Sequence, residues 1–163
     1  MPAPRLHEDL IGDRIVQLID QNLSAELGLK VVAFGALEFF PALENLSGNV
    51  PAVFVKPAPS TNLDRITTGQ TYRIAYGFRI VHVRLFAPNE QIVRGKITEA
   101  QKIAELLIDN VDLGGLALPN GQILFTTLKT IEGEPPEDNL VATIHADMTA
   151  AALSFSVETT SRK

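Results

Sequence analysis

The residues with the most chemical potential are three histidines, a cluster of acids and three arginines on one segment. His7, His82 and His145 are the only imidazoles and fall in three separate stretches. No two have metal-ligand spacing, and no cysteine completes a zinc set. His145 and Asp147 stand two apart, as on one strand face, and without a third ligand they read as a surface or interface pair. His82 is expected on the polar face of its strand. As a general base it would need a serine or carboxylate beside it, and the local sequence supplies neither. Glu132, Glu134, Glu137 and Asp138 surround Pro135 and Pro136. Their oxygens suit a hard cation, but the spacing is not that of an EF-hand, so a solvated or partner-facing loop is the simpler reading. The glycines match neither phosphate-binding pattern. Arg73, Arg79 and Arg84 suit phosphates, and, given the chain's own negative charge, acidic protein surfaces at least as well. No catalytic constellation emerges, and no metal or cofactor is expected.

Composition narrows the classes further. With 163 residues the chain reads as one domain. A domain of this size buries roughly 70% of its unfolded surface, enough for an ordinary core. The lack of cysteine excludes disulfides and a thiol nucleophile and is compatible with a reducing compartment. A net charge of -5 without a basic run gives little support for nucleic-acid binding. The opening MPAPRLHEDL does not resemble a signal peptide. No apolar run approaches the roughly 20 residues that span a bilayer. A soluble protein made in the cytoplasm is the expectation.

The elements that would position these residues follow from periodicity. Leu6 to Leu23 repeats apolar residues at three and four, as an amphipathic helix does, and Gly28 supplies a turn. Leu29 to Phe34 reads as a strand, whereas residues 35–50 have no clear assignment beyond a helical turn at Pro41 to Leu46. Ala52 to Lys56 is a short strand bounded by Pro51 and Pro57. Pro57 to Gln70 is a long loop or the extended tip of a hairpin, and it presents Asn62, Asp64 and Arg65 as partner-facing candidates. Pro88 to Val111 is helical, most securely after Gly95. Gln122 to Ile131 is a strand. Leu140 to Met148 fits either period and leans to strand. Thr149 to Thr160 is a strand with Leu153, Phe155 and Val157 on one face and Ser154, Ser156 and Glu158 on the other. The expected class is α+β: a largely antiparallel sheet of four or five strands, two helices on one face, and an extended hairpin or long loop.

Thr71 to Phe86 carries an anomaly. Tyr72, Ile74, Tyr76, Phe78 and Ile80 share one face, with Arg73 and Arg79 on the reverse, but the apolar set then changes parity to Val81, Val83 and Leu85. A strand with one buried face cannot do this. Either a bulge near Ile80 restores the register, or the strand passes from one environment to another, such as from a core to a subunit contact.

In order and local character, several segments resemble those of the tail-terminator, or tail-completion, proteins of tailed bacteriophages and phage-derived particles. These are DLIGDRIVQLIDQNL, AVFVKP with the long segment after it, YGFRIVHVRLF, KITEAQKIAELLIDNV, GQILFTTLKTIEGEPPEDN and AAALSFSVETT. The resemblance spans most of the chain and includes no signature motif. It implies a non-enzymatic virion protein, assembled in the host cytoplasm as a hexameric ring. The ring would cap the tail tube, stop its polymerisation and present a joining surface to the neck or head-completion protein, with the sheath as a further partner if the tail is contractile. DNA would pass through the lumen without specific binding, to which an acidic chain is suited. The expected subunit interface comprises Tyr72, Arg73, Tyr76, Phe78, Arg79, Ser154, Ser156 and Glu158, with a charge at Tyr76 or Phe78 weakening the ring more than the fold. Three other readings stay open. One is a different tail component, such as a tube or neck protein, which would polymerise or join differently. Another is a small-ligand-binding module with Phe39, Phe40, Tyr72 and Tyr76 around a pocket. The third is an enzyme built on His82 or His145.

Overall fold

In the computed structural model, which describes residues 7–35, 49–65, 71–85, 92–138, 141 and 148–162, an N-terminal helix α1 (Glu8–Leu27) leads into strands β1 (Val31–Phe34), β2 (Ala52–Arg65) and β3 (Thr71–Leu85). Helix α2 (Ile92–Asp109) and strands β4 (Gly121–Glu132) and β5 (Met148–Arg162) follow. The five strands form one sheet in the order β1-β2-β3-β5-β4. Only β1–β2 is parallel; the other pairs are antiparallel. The class is α+β, as expected.

The helices lie where their apolar stripes find the sheet. Ile11, Ile15, Leu18, Ile19 and Leu23 of α1 and Ala100, Ile103, Ala104 and Leu107 of α2 join one core with Val53, Val55, Ile74, Tyr76, Phe78, Ile80, Leu153, Phe155 and Val157. Burying one such aliphatic side chain contributes about 1.5–3 kcal/mol, which is more than intrinsic helix propensity supplies per residue. Gly12 lets α1 approach β1, since a Cβ there would collide with the Phe34 ring. Gly28 ends α1 in a left-handed turn with φ of 63°, and Leu29 N–H donates to Ser24 O at 2.8 Å. The Arg14 Nε donates to Leu113 O at 2.8 Å, tying α1 to the turn after α2.

A second, smaller core occupies the opposite face of the sheet at one end. It contains Val50, Ala52, Phe54, Val81, Val83, Val141, Met148, Ala150 and Ala152. This resolves the parity change in β3. The β3–β5 register runs without a break from Thr71↔Arg162 to Leu85↔Met148, so there is no bulge in this pair. The strand has one apolar face up to Ile80 and then enters a region buried on both sides, where Ile80, Val81, His82 and Val83 are consecutively enclosed. The second environment is an internal core and not a subunit contact.

Two local expectations change. The strand at Ala52 does not stop at Lys56; it continues to Arg65 and forms a long hairpin with β3, so the hairpin alternative holds. The register shifts between Pro57 and Thr61, and β1 accompanies β2 only as far as Val55. Among the described residues the prolines therefore fall on an edge portion of the strand, where a missing donor is tolerated. In the segment read as a strand from Leu140 to Met148, Val141 is helical and Met148 opens β5. A helical turn at 136–138 precedes it, with Pro136 at the first helical position, where a missing N–H is harmless. The rest of that segment, including His145 and Asp147, lies outside the described residues, as do Phe39, Phe40 and the turn expected at Pro41 to Leu46.

Candidate assembly surface

The sheet face opposite the helices, beyond the second core, carries the small and polar row of β5. Across it, Arg73 of β3 donates through Nε to Glu158 Oε2 of β5 at 2.7 Å, and a second guanidinium nitrogen contacts the same oxygen. The Arg73 guanidinium also stands over the Phe125 ring of β4, 5.8 Å from its centre. With Arg73 largely solvated, this pair contributes at most about 1 kcal/mol.

Arg79, six residues further along the same face, is held more tightly. Its guanidinium donates to both carboxylate oxygens of Glu137, one of them at 2.8 Å, to Glu132 Oε2 at 2.9 Å and to Ser154 Oγ at 3.3 Å. Lys56 Nζ is 4.0 Å from Glu137. Burial by itself would raise the Glu137 pKa, but the hydrogen bond and charge of Arg79, with Lys56 behind them, outweigh it and hold the carboxyl below its usual range. Asp138 completes the attachment: its Oδ1 accepts from Thr149 Oγ1 at 2.7 Å and from Ala150 N–H at 2.9 Å. The acidic stretch is thus fastened to the sheet by most of its own charges.

His82 lies on the helix side of β3 and not on a polar face. It is 2% exposed, with Glu99 Oε2 of α2 3.5 Å from its Nδ1. Neither ring nitrogen has a hydrogen bond among the described residues. Burial, with the Arg84 guanidinium adding to it, lowers its pKa to about 4. Glu99 would favour a proton on the ring, but it also faces Arg84 Nη1 at 3.2 Å. The group is neutral at pH 7 and has no nucleophile placed beside it by any described contact.

The expected interface residues therefore divide. Tyr76 and Phe78 are fully enclosed between the sheet and the helices, and so are core residues of the protomer. Tyr72 is half-buried against the same core. Ser156 is buried, whereas Arg73, Ser154 and Glu158 remain partly accessible on the opposite face. Among the loop candidates, Glu132, Glu137 and Asp138 bond within the protomer, and Glu137 is buried. Glu134 is exposed. Asn62, Asp64 and Arg65 belong to β2 and pair with Ala75, Arg73 and Tyr72, so they are strand residues and not loop residues.

The edge position of β4 has no signal in the sequence. Strand β4 forms an edge of the sheet, pairing only with β5 among the described residues, and it exposes Leu124 and Phe125 side by side. Register shifts between Ile123 and Phe125 and between Leu128 and Thr130 disturb the alternation that would have marked a half-buried strand. Near its start, Thr71, Leu118, Asn120, Gly121, Gln122 and Thr160 line an open polar depression of about 570 Å³. No group of three or more metal-ligating side chains occurs among the described residues. No described helix is long and apolar enough to cross a membrane.

No protein-family model and no curated protein matches the chain. Its fold is similar to that of a chain in the virion of a native gene transfer agent particle, with 18% identity and a TM-score of 0.50 over 89% of this chain and 90% of that one. It is also similar to the sheath/tube terminator of an extracellular contractile injection system in its extended state. There the identity is 15% and the TM-score 0.50 over 93% of this chain, which spans 56% of the terminator's length.

Proposed function

We propose that this protein is a structural component of a phage-like tail: a terminator that caps the tail tube as a hexameric ring, stops its growth and presents a joining surface to the neck. The observation that carries this reading is the fold likeness to a sheath/tube terminator across 93% of the chain, matched by the order of segments in the sequence. The gene transfer agent chain, of nearly the same extent, supports a role within an assembled particle. The role is non-enzymatic, and the site is a set of surfaces. Its partners are other copies of itself, the tube subunit and a neck or head-completion protein, with a sheath subunit as well in a contractile tail. The assembled protein resides in the virion, with DNA passing its lumen.

Tube growth supplies the test. Polymerising tube subunits from the same particle are mixed with increasing amounts of the purified protein, tube lengths are measured by electron microscopy, and particle mass by light scattering. A terminator shortens the tubes in proportion to its concentration and adds a ring at one end. If the protein polymerises alone, a tube-like role replaces this one. Unchanged tube lengths with a persistent monomer would refute it.

A further inference from the structure

We infer that strand β4 of one copy pairs, antiparallel and head to tail, with the distal half of β2 in the next copy, so that the sheets run continuously from subunit to subunit. This rests on the ring-forming reading above and adds the strands that make the contact.

The β4 edge is suited to pairing. It runs for 12 residues without a proline, and Lys129 is the only charge between Gly121 and Glu132. Its outer side has no strand partner among the described residues. Soluble proteins usually blunt such an edge with prolines, charges or a covering segment; a long apolar one is a site of association. Leu124 and Phe125 stand on that edge, 38% and 39% exposed.

The other side of the same sheet offers the complement. Strand β1 covers β2 only to Val55, and Gly35 N–H donates to Val55 O at 2.7 Å. Beyond that, the outer side of β2 has no strand partner among the described residues. Pro57 and Pro59 remove donors from the first part of this run, and Thr61 to Arg65 contains no proline.

Level and direction select these two strands as partners. The register carries Thr126 through Val157 and Tyr76 to Thr61, and Gly121 through Ser161 and Tyr72 to Arg65. These two edges, neither with a further strand partner among the described residues, therefore flank the same half of the sheet at the same height. Strand direction alternates from β2 through β3 and β5 to β4, so β4 of one copy meets β2 of the next antiparallel. A head-to-tail contact without axial offset closes into a ring, whereas an offset would produce a filament. The register shifts in β4 bend the strand, as a sheet continued around a ring requires.

The natural absence of cysteine makes the test direct. Across the sheet Phe125 is level with Asn62 through Glu158 and Ala75. Within one protomer three strand spacings, about 14 Å, separate β4 from β2, too far for a disulfide. The double variant Phe125→Cys/Asn62→Cys is assembled on tube subunits and oxidised, and Phe125→Cys/Asp64→Cys does the same for a register moved by two residues. The expected result is a covalent ladder on a non-reducing gel, ending in a closed species, with only dimers or none from each single variant. A ring of normal mass that yields no ladder from either pair overturns the strand pairing and leaves the terminator reading intact. Absence of a ring from the unmodified protein, on tubes as well as alone, overturns both. Thermal melting of the reduced variants confirms that the protomer is folded.

Discussion

The phenol oxygen of Tyr76, in the middle of β3, accepts the backbone N–H of His7 at 3.0 Å. His7 precedes the first residue of α1 and has no side-chain cap, so the central strand holds the start of the helix. Its Nε2 lies 3.0 Å from Pro119 O, which joins the turn before β4 to the same point. Burial raises the Tyr76 pKa, so the group stays a neutral phenol through the physiological range.

Removing that oxygen strands a buried donor. Tyr76→Phe is expected to lose about 1–2 kcal/mol in urea unfolding, with normal assembly by light scattering below the transition. Tyr76→Asp would place a charge among fully enclosed side chains and is expected to abolish folding. This reverses the expectation that a charge here disturbs the ring before the fold. A folded, monomeric Tyr76→Asp protein would restore the interface role.

The Arg79 network leads to a second expectation. Arg79→Met leaves the Glu137 carboxylate buried without its main counter-charge, at a cost on the order of 3 kcal/mol. Adding Glu137→Gln should recover part of the loss, so that the double variant is more stable than the sum of the two single changes. Strict additivity in denaturant titrations would show that the two groups do not act as a pair. Because the Glu137 pKa is depressed, its contribution is present above the ordinary carboxylate range and is lost as pH falls through the folded-state value.

His82 acts in a different window. Its folded pKa of about 4 lies below the unfolded 6.5, so the unfolded chain takes up a proton that the folded one refuses. The contribution of His82 to stability is present above pH 6.5 and is lost progressively as pH falls towards about 4, on the order of 3 kcal/mol in all. His82→Gln should flatten that slope, and Arg79→Met should not. A wild-type protein equally stable in urea at pH 7 and pH 5 would contradict the buried neutral imidazole.

Gly12 opposes helix propensity. Alanine normally stabilises a helix interior by about 1 kcal/mol over glycine. Here the new Cβ would meet the Phe34 ring, so Gly12→Ala is expected to lower stability by about 1–2 kcal/mol net. Phe34→Leu in the same chain should relieve part of this loss. A higher melting temperature for Gly12→Ala alone would mean that the ring moves aside without penalty.

Local patterns were legible and remote ones were not. The stripe from Ile11 to Leu23 and that from Ala100 to Leu107 each arise within one helix, so periodicity found both. The change of parity after Ile80 was visible, but its cause draws on Phe54, Val141 and Ala150, distant in sequence, and no window contains them together. Pro57 suggests an end to its strand because propensity does not reveal that β1 pairs with β2 only as far as Val55. Glu137 looked like a solvated acid for a similar reason: Arg79, 58 residues earlier, neutralises it. Phe125 could not be read as an edge residue, because strand order is a property of the assembled sheet.

The sheet is clamped at one end and overhangs at the other. Where Ile80 to Val83 pass between the two cores, β3 is gripped from above and below; towards Thr71 only the helix side is packed among the described residues. The protomer is therefore a cantilever in its packing, with a root buried on both faces and a tip buried on one. The root is committed to the subunit's own interior, while the tip leaves Arg73 accessible on its second face.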